Sequence, residues 1–585
     1  MNWSLLFCNR TSSNVLLTKL KRIQRFSSHT SIRAIMSSTT TIIDGNSGGI
    51  KSKIVENHLQ NKLKKDAKNI FERAVYHVQP KDMVDKALHR EGDSLFVEGY
   101  EYELRKNVYV VGYGKAVLGM IRATENVLGD HIAKGVASIP VGLQDAFKLY
   151  GKSEFLLKEN TKIQIYEGAE SNLPDQNAYE ASMHIHRLCQ SLSEKDLLIV
   201  LMSGGGSALL PAPIPPITLE EKAIVTRLMS TNGATIQEIN TVRKNLSLLK
   251  GGGLAEVAAP AQVISLMLSD IIGDPMDMIA SGPTVSDTTT AQQCLDLFRK
   301  FGIENQVPVS VLKFLRKRAL EDDRRLLRIQ REGYDQISGV NTAVSTSKHD
   351  CRNVRNIIVG SNKMAVKSAV NYAQQLGYFS VTLTSKMSGE ASKVGILLSR
   401  LAKFVVLCRS NKRDDGNREL IKSEMDLLKV GMSKQTINRI SCAVAEAISC
   451  NQPLCIVAGG ETTVTVGGNG KGGRNQELAL SAVIEMNEMF TEQSTLDNFS
   501  VQLLSAGTDG QDGPTEAAGA FAAPHVYSCS REAGLVPEKF LKENDSYNFF
   551  ARVNDGKDHY IIDHTGTNVM DLQILLISPN DFRKK

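Results

Sequence analysis

The chain has 585 residues, 42% hydrophobic and 23% charged, the composition of an ordinary globular protein and not of a fibrous or disordered one. At about 150 residues per domain, the length sets a prior of three or four domains. The longest aliphatic run, residues 197–202, falls far short of the ~20 apolar residues of a membrane-spanning helix, which excludes a membrane-embedded chain.

The net charge of +6 is confined to one end: residues 1–43 carry Arg10, Lys19, Lys21, Arg22, Arg25 and Arg33 and no acid. Leu16, Leu17, Leu20 and Ile23 recur there at helical spacing among serines and threonines. An amphipathic, Arg-containing, acid-free start predicts a mitochondrial transit peptide over about residues 1–45. Met36 would begin a shorter, cytosolic form. With this segment set aside the body is near neutral, so no basic field argues for nucleic acid.

Along the body, short apolar runs end in glycine-rich turns followed by helical patterns. Residues 107–111 lead to Gly112-Tyr113-Gly114-Lys115, where a lysine just past a glycine turn can reach a phosphate or carboxylate. Residues 197–202 lead to Ser203-Gly204-Gly205-Gly206-Ser207. Three successive glycines permit positive φ and close backbone approach to a ligand, and a following helix would offer N–H groups to an anion. Residues 235–249 read as a helix with a buried face and a polar stripe of Asn240, Arg243, Ser247 and Lys250, closed by Gly251-Gly252-Gly253. The run 263–268 leads to Ser269-Asp270 and on to Gly273-Asp274. Residues 313–331 hold eight Lys or Arg against three acids and predict a surface insertion or linker, as does the charge-dense stretch 409–424.

Beyond that insertion the grammar resumes. Residues 357–359 precede Gly360-Ser361-Asn362-Lys363, 454–458 precede Gly459-Gly460-Glu461, and 501–504 precede Gly507-Thr508-Asp509-Gly510. Uninterrupted apolar strands predict an α/β protein with parallel sheets covered by helices, and ligands in such folds bind beyond the carboxyl strand ends. Residues 462–466 alternate as a half-exposed strand before 468–473, a formal GxGxxG, with a helix starting near Arg474. That context is wrong for a dinucleotide fingerprint. No GxxxxGK[ST] occurs and no GxSxG follows an apolar strand, which excludes a Walker A loop and a serine-hydrolase elbow. Nine cysteines, none spaced as CxxC, predict neither a disulfide framework nor a structural metal.

The chain resembles the class II glycerate kinase family with its MOFRL domain. The carrying motifs are YVVGYGKA (109–116), SGGGSALL (203–210), INTVRKNLSLLKGGGLA (239–255) and LSDIIGDPMDMIASGPT (268–284). VAGGETTVTV (457–466), GGRNQELAL (472–480), SAGTDGQDGPT (505–515), ENDSYNFF (543–550) and TGTNVMD (565–571) follow in the family's order. The resemblance implies a Rossmann-like N-terminal domain (55–310) and a C-terminal α/β region (353–585) holding the MOFRL domain at about 452–575; the charged insertion (311–352) between them departs from the family's pattern. It implies an active site between the domains, and phosphorylation of D-glycerate by ATP and Mg²⁺, expected at the 2-hydroxyl.

On that reading Lys115, Arg474 and Asp270 carry catalysis. Ser203, Gly204, Gly205, Gly206, Ser207, Asn240, Arg243, Lys250, Glu461 and Asp509 bind the nucleotide, and Asp274 and Asp512 hold the metal. The residues alone leave open which of the four aspartates binds Mg²⁺ and which takes the substrate proton. The expected partner is the small-molecule substrate, with neither nucleic acid nor membrane, and a homo-oligomer is compatible with the sequence. The rival reading is a nicotinamide-dependent hydroxypyruvate reductase acting on a related C3 acid. A third is a non-catalytic metabolite-binding protein.

Overall fold

The structure is a computed structural model that describes residues 47–335, 351–410, 416–490 and 498–580. The expected transit peptide and residues 336–350 of the expected insertion lie outside the described residues. A small antiparallel sheet, β1 (His89–Glu91), β2 (Ser94–Val97) and β3 (Tyr100–Glu103), precedes two larger ones.

The first six-stranded sheet comprises β4 (Val108–Tyr113), β5 (Ile132–Pro140), β6 (Ile163–Gly168), β7 (Leu197–Met202), β8 (Gln262–Leu268) and β9 (Val354–Gly360). Its order is β6-β5-β4-β7-β8-β9 and every neighbouring pair is parallel. All six residues of β7 are buried, as a strand covered on both faces requires. The strand order reverses between β4 and β7, so their carboxyl ends open a crevice at the switch point. The loops 112–115 and 203–207 stand there.

The second sheet comprises β10 (Phe379–Met387), β11 (Leu454–Gly460), β12 (Phe499–Gly507), β13 (Gly519–Ala522), β14 (His559–Tyr560) and β15 (Asp571–Pro579), ordered β10-β11-β15-β12-β13-β14. Here β10 and β11 pair in parallel and the other neighbours antiparallel. The helix Ser47–His77 belongs to both halves. Its Leu63, Ile70 and Phe71 share one buried cluster with Val110 and Ile264 of the first sheet and Leu504 and Ile574 of the second. Each such side chain contributes about 1.5–3 kcal/mol on full burial, so a common core sets the spacing of the two sheets. Polar ties fix its register: Gln60 Nε2 donates to Gln502 Oε1 at 2.8 Å, and Tyr378 Oη donates to Asp66 Oδ2 at 2.7 Å.

Several expectations change in detail. Residues 354–360, assigned by sequence to the second region, pair with β8 as the edge of the first sheet, because their apolar run extends a parallel array. The charge-dense stretch 313–331 is no linker but part of the helix Val309–Asp335, whose Val311, Leu315 and Ala319 are buried. Of residues 409–424, 409–410 end the helix Ala391–Ser410 and 416–424 open the helix Gly416–Lys429, while 411–415 lie outside the described residues. The helix expected over 235–249 ends at Asn245. There the backbone turns to pair with the preceding loop: Leu248 N donates to Ala212 O at 2.9 Å, and Ile214 N to Leu246 O at 3.2 Å. Residues 462–466 form no sheet strand, and Thr463 merely bridges to Glu390. Among the described residues, the eight cysteines form no disulfide and no helix is long and apolar enough to cross a membrane.

Candidate active site

At the switch point the two glycine loops lock together. Lys115 N donates to Gly204 O at 2.9 Å and Ala116 N to Ser203 Oγ at 3.0 Å. The lysine's stem lies across Gly205, where a Cβ would stand 3.2 Å from Lys115 Cγ and 3.3 Å from Asn172 Oδ1. On the other side a Cβ at Gly204 would overlap Asp270 Oδ2. The glycines are therefore needed so that Lys115 and Asp270 can flank one stretch of backbone. The helix that follows spans just Gly206–Leu209, too short to serve as the anion-binding helix end that the sequence suggested.

The opposing wall comes from the second sheet. Arg474 opens the helix Arg474–Phe490 and clamps Asp571, through Nε to Oδ2 at 2.6 Å and Nη2 to Oδ1 at 2.9 Å, while Nη1 meets Glu461 Oε1 at 2.8 Å. Asp571 is fully buried. The planar fork expected to grip a ligand is thus committed to a protein carboxylate, which aims the guanidinium as a fixed positive face. Asp509 follows β12 and accepts from Gln511 N at 3.0 Å.

Electrostatically these groups are one unit. Burial raises the Asp270 carboxyl above its usual range and the Asp509 charge adds to this, while Lys115 opposes it. Asp509 is raised first by burial and then by Asp571, with Arg474 and Lys115 opposing. Glu461 is likewise raised by burial, with Asp571, Asp270 and Asp509 pushing the same way and Arg474 against it. Carboxyls lifted toward neutrality and paired with fixed cations in a cleft are suited to proton transfer beside a developing negative charge.

The remaining assignments divide. Ser207 Oγ lies 2.9 Å from Ser281 Oγ, which bonds Asn240 Oδ1 at 3.2 Å, and Lys250 Nζ donates to Ser207 O at 2.9 Å. Arg243 stands one helical turn beyond Asn240. Asp274 occupies the adjoining turn at φ +57°, and no hydrogen bond or ion pair ties its carboxylate to any described residue. Asp512, expected to hold metal, is instead a helix cap. Its Oδ1 accepts from Asn475 N and Nδ2, and its Oδ2 from Gln476 N and Nε2 at 2.9 Å each. Those first-turn N–H groups have no intrahelical partner, so the buried carboxylate satisfies them and keeps no free lone pair.

Sequence reasoning missed Asp571, although it closes the TGTNVMD motif. It also missed Asn172, at φ +61° beside Gly205, and Lys386 at the end of β10. A Cβ on Gly273 would lie 3.7 Å from Lys386 Nζ, so the two halves face each other across this turn. The formal GxGxxG folds as no dinucleotide turn. Gly467 N and Gly468 N donate to Asn544 Oδ1, and Gly470 N to Glu543 O. This segment packs on 543–546, not on a nucleotide crevice, which removes the basis of the reductase reading.

These features define a two-part α/β protein with a polar cleft at the strand ends, built to hold an anionic small molecule between paired cations and carboxylates. Residues 66–316 match a family described as a domain of unknown function, DUF4147, and residues 454–571 match the MOFRL family. The chain is 42% identical to glycerate kinase of Bos taurus over 520 residues, covering 88% of this chain and 94% of that one. It is 30% identical to glycerate 2-kinase of Pyrococcus horikoshii over 506 residues, covering 86% and 95%. The crystal structure of glycerate kinase from Thermotoga maritima superposes with a TM-score of 0.66 at 30% identity, covering 88% of this chain and all of that one. The chain belongs to the glycerate kinase family with a MOFRL domain.

Proposed function

We propose that this protein transfers the γ-phosphoryl group of ATP to a hydroxyl of D-glycerate. The observation that carries the reading is the convergence of Lys115 and Asp270 from one domain with Arg474, Glu461 and Asp509 from the other, in a chain of this family. Phosphoryl transfer needs positioning and charge neutralisation more than covalent chemistry from the protein. In this reading Lys115, exposed on its glycine turn, neutralises the transferring phosphoryl oxygens. Asp270, raised by burial beside Lys115, takes the proton of the attacking hydroxyl. Arg474, held rigid by Asp571, presents charge to the substrate anion.

Magnesium commonly binds through one or two carboxylates plus substrate phosphates. Among the described residues no group of three His, Cys, Asp or Glu could hold a metal alone. Asp509, raised by burial and lying in the same acidic cleft, fits an ion that arrives with the nucleotide, and there it would screen the phosphate oxygens. The 2-hydroxyl is the proposed acceptor, supported by the relative named glycerate 2-kinase. Residues 1–43 are proposed to direct the protein to mitochondria.

Incubation with D-glycerate, ATP and Mg²⁺ should release ADP and give 2-phosphoglycerate, identified by phosphorus NMR. Hydroxypyruvate with NADH should give no oxidation. Absence of ADP release, with glycerate still raising the melting temperature, would leave a binding protein and refute the kinase.

A further inference from the structure

The turn that follows β6 is strained, and it carries one unbonded side chain to the cleft. Ala169, Ser171 and Asn172 all take left-handed backbone conformations, at φ +54°, +54° and +61°. Residues other than glycine resist that region, and such strain persists where the surroundings enforce it, typically beside a ligand. Here Asp175 enforces it. Its carboxylate caps the helix Gln176–Gln190 by accepting from Ala178 N at 2.8 Å, and it also accepts from Glu170 N at 3.3 Å. Within the turn Asn172 N donates to Ala169 O at 2.9 Å and Leu173 N to Glu170 O at 3.1 Å.

The Asn172 side chain takes no part in these ties. It is exposed, and its carboxamide makes no hydrogen bond to any described residue. Gly205 shows where it stands: a Cβ there would lie 3.3 Å from Asn172 Oδ1 and 3.3 Å from Lys115 Cε. Because β6, β4 and β7 run parallel, their carboxyl ends bring Asn172, Lys115 and the glycine loop to the same crevice. Chemistry then decides what the amide binds. A carboxamide offers two donors and an acceptor, and a hydroxyl is the ligand group that uses both kinds. Lysine and arginine cannot accept, and an ionised carboxylate cannot donate. Of glycerate's three polar groups, the carboxylate suits Arg474 and the attacking hydroxyl gives its proton to a base. The second hydroxyl is left for the amide.

We propose that Asn172 is a specificity-determining residue that hydrogen-bonds the hydroxyl of glycerate that is not phosphorylated, and so fixes which hydroxyl faces the phosphoryl group. The inference rests on the phosphotransfer reading and deepens it, by naming the residue that tells glycerate from acids lacking the second hydroxyl. A site built around a substrate hydroxyl rejects the analogue without it, because the protein group is then left unpaired.

The test uses the full-length protein and two probes of one configuration, D-glycerate and D-lactate, which has a methyl group in place of the CH2OH. Asn172→Gly suits the left-handed backbone and removes only the carboxamide. It should raise KM for glycerate about tenfold, the scale of one hydrogen bond. KM for ATP and the inhibition constant of D-lactate should each move less than twofold. The melting temperature should stay close to wild type, since relief of the strain at φ +61° offsets glycine's greater freedom in the unfolded chain. Asn172→Asp keeps the shape but sets an anion beside the substrate, so glycerate and lactate should both weaken. If Asn172→Gly fails to fold, Asn172→Asp decides. Unchanged KM for glycerate in either folded variant overturns the assignment, as does an equal loss of glycerate and lactate in Asn172→Gly. Wild type that binds glycerate by calorimetry without forming ADP refutes the kinase reading, and the glycerate affinities of the same variants then test the contact by itself.

Discussion

Arg474 offers the sharpest separation of architecture from chemistry. Its guanidinium makes two bonds to the fully buried Asp571 and one to Glu461. Replacing it with Ala strands a buried carboxylate, which typically costs about 3–5 kcal/mol. The Arg474 side chain retains 32% exposure, so water can partly resolvate the site and the lower end, about 3 kcal/mol, is expected. Arg474→Lys keeps the charge but cannot make the parallel bonds and reach Glu461 together, so about 1–2 kcal/mol should be lost. For a domain of this size that lowers the melting temperature by roughly 2–8 °C. Turnover should fall by at least about tenfold, because the positive face is no longer held where charge develops. Thermal unfolding and ADP release, measured on the same preparations, read the two effects apart. A double-mutant cycle with Asp571→Asn should show a coupling near 2 kcal/mol. Wild-type turnover and melting in Arg474→Lys, or additivity in the cycle, would refute the clamp argument.

Lys115→Ala should keep the fold, since the side chain is exposed, and cost about 10²–10³ in kcat; wild-type turnover would remove it from the site. Gly204→Ala places a Cβ on Asp270 Oδ2 and should abolish activity, while a mere change in KM would mean the two loops are not in contact during turnover. His559 is lowered to about 4 by burial, so it gives stability above pH 6.5 that is lost as pH falls toward 4, up to about 3 kcal/mol. Asp512 and Glu477, both raised to about 6, act with the opposite slope, so the test is the difference between wild type and His559→Asn. The wild type should lose more stability between pH 7 and pH 5 by urea unfolding, and parallel profiles would contradict the assignment. Trp3 is the one tryptophan in the sequence, so cleavage between residues 25 and 49 would leave tyrosine-like emission and an intact fold. Mature protein that retains Trp3 by intact mass would refute the transit peptide.

How much of this was legible depended on the physics each segment obeys. The strands at 197–202 and 263–268 were readable because burial on both faces forbids polar residues, and that prohibition is visible in a single sequence. The end of the helix at Asn245 was not, since residues 246–249 continue the apolar period. What stops them is a tertiary pairing with 212–214 that local pattern cannot contain. The edge strand 354–360 shows the same limit. It reads as a strand correctly, but nothing in its residues says which sheet it joins.

The site divided along a different line. Residues whose chemistry needs backbone freedom announced themselves: three glycines before Ser207 and one before Lys115 mark the switch point in the sequence alone. Carboxylates did not sort themselves. Asp270, Asp509, Asp512 and Asp571 all follow or begin strands near glycines, yet one caps a helix, one holds an arginine and two line the cleft. The roles differ by partner and not by neighbours in sequence. Asp512 meets the unpaired N–H groups of Asn475 and Gln476, and Asp571 meets the Arg474 fork, each saturated by donors some 37 and 97 residues away. Asp270 and Asp509 have cationic neighbours that do not close on them, so they keep lone pairs for a proton or an ion. A carboxylate's availability is therefore a property of what the fold leaves unbonded around it, and on that criterion Asp270 and Asp509 are the pair whose replacement by Asn should silence the enzyme without unfolding it.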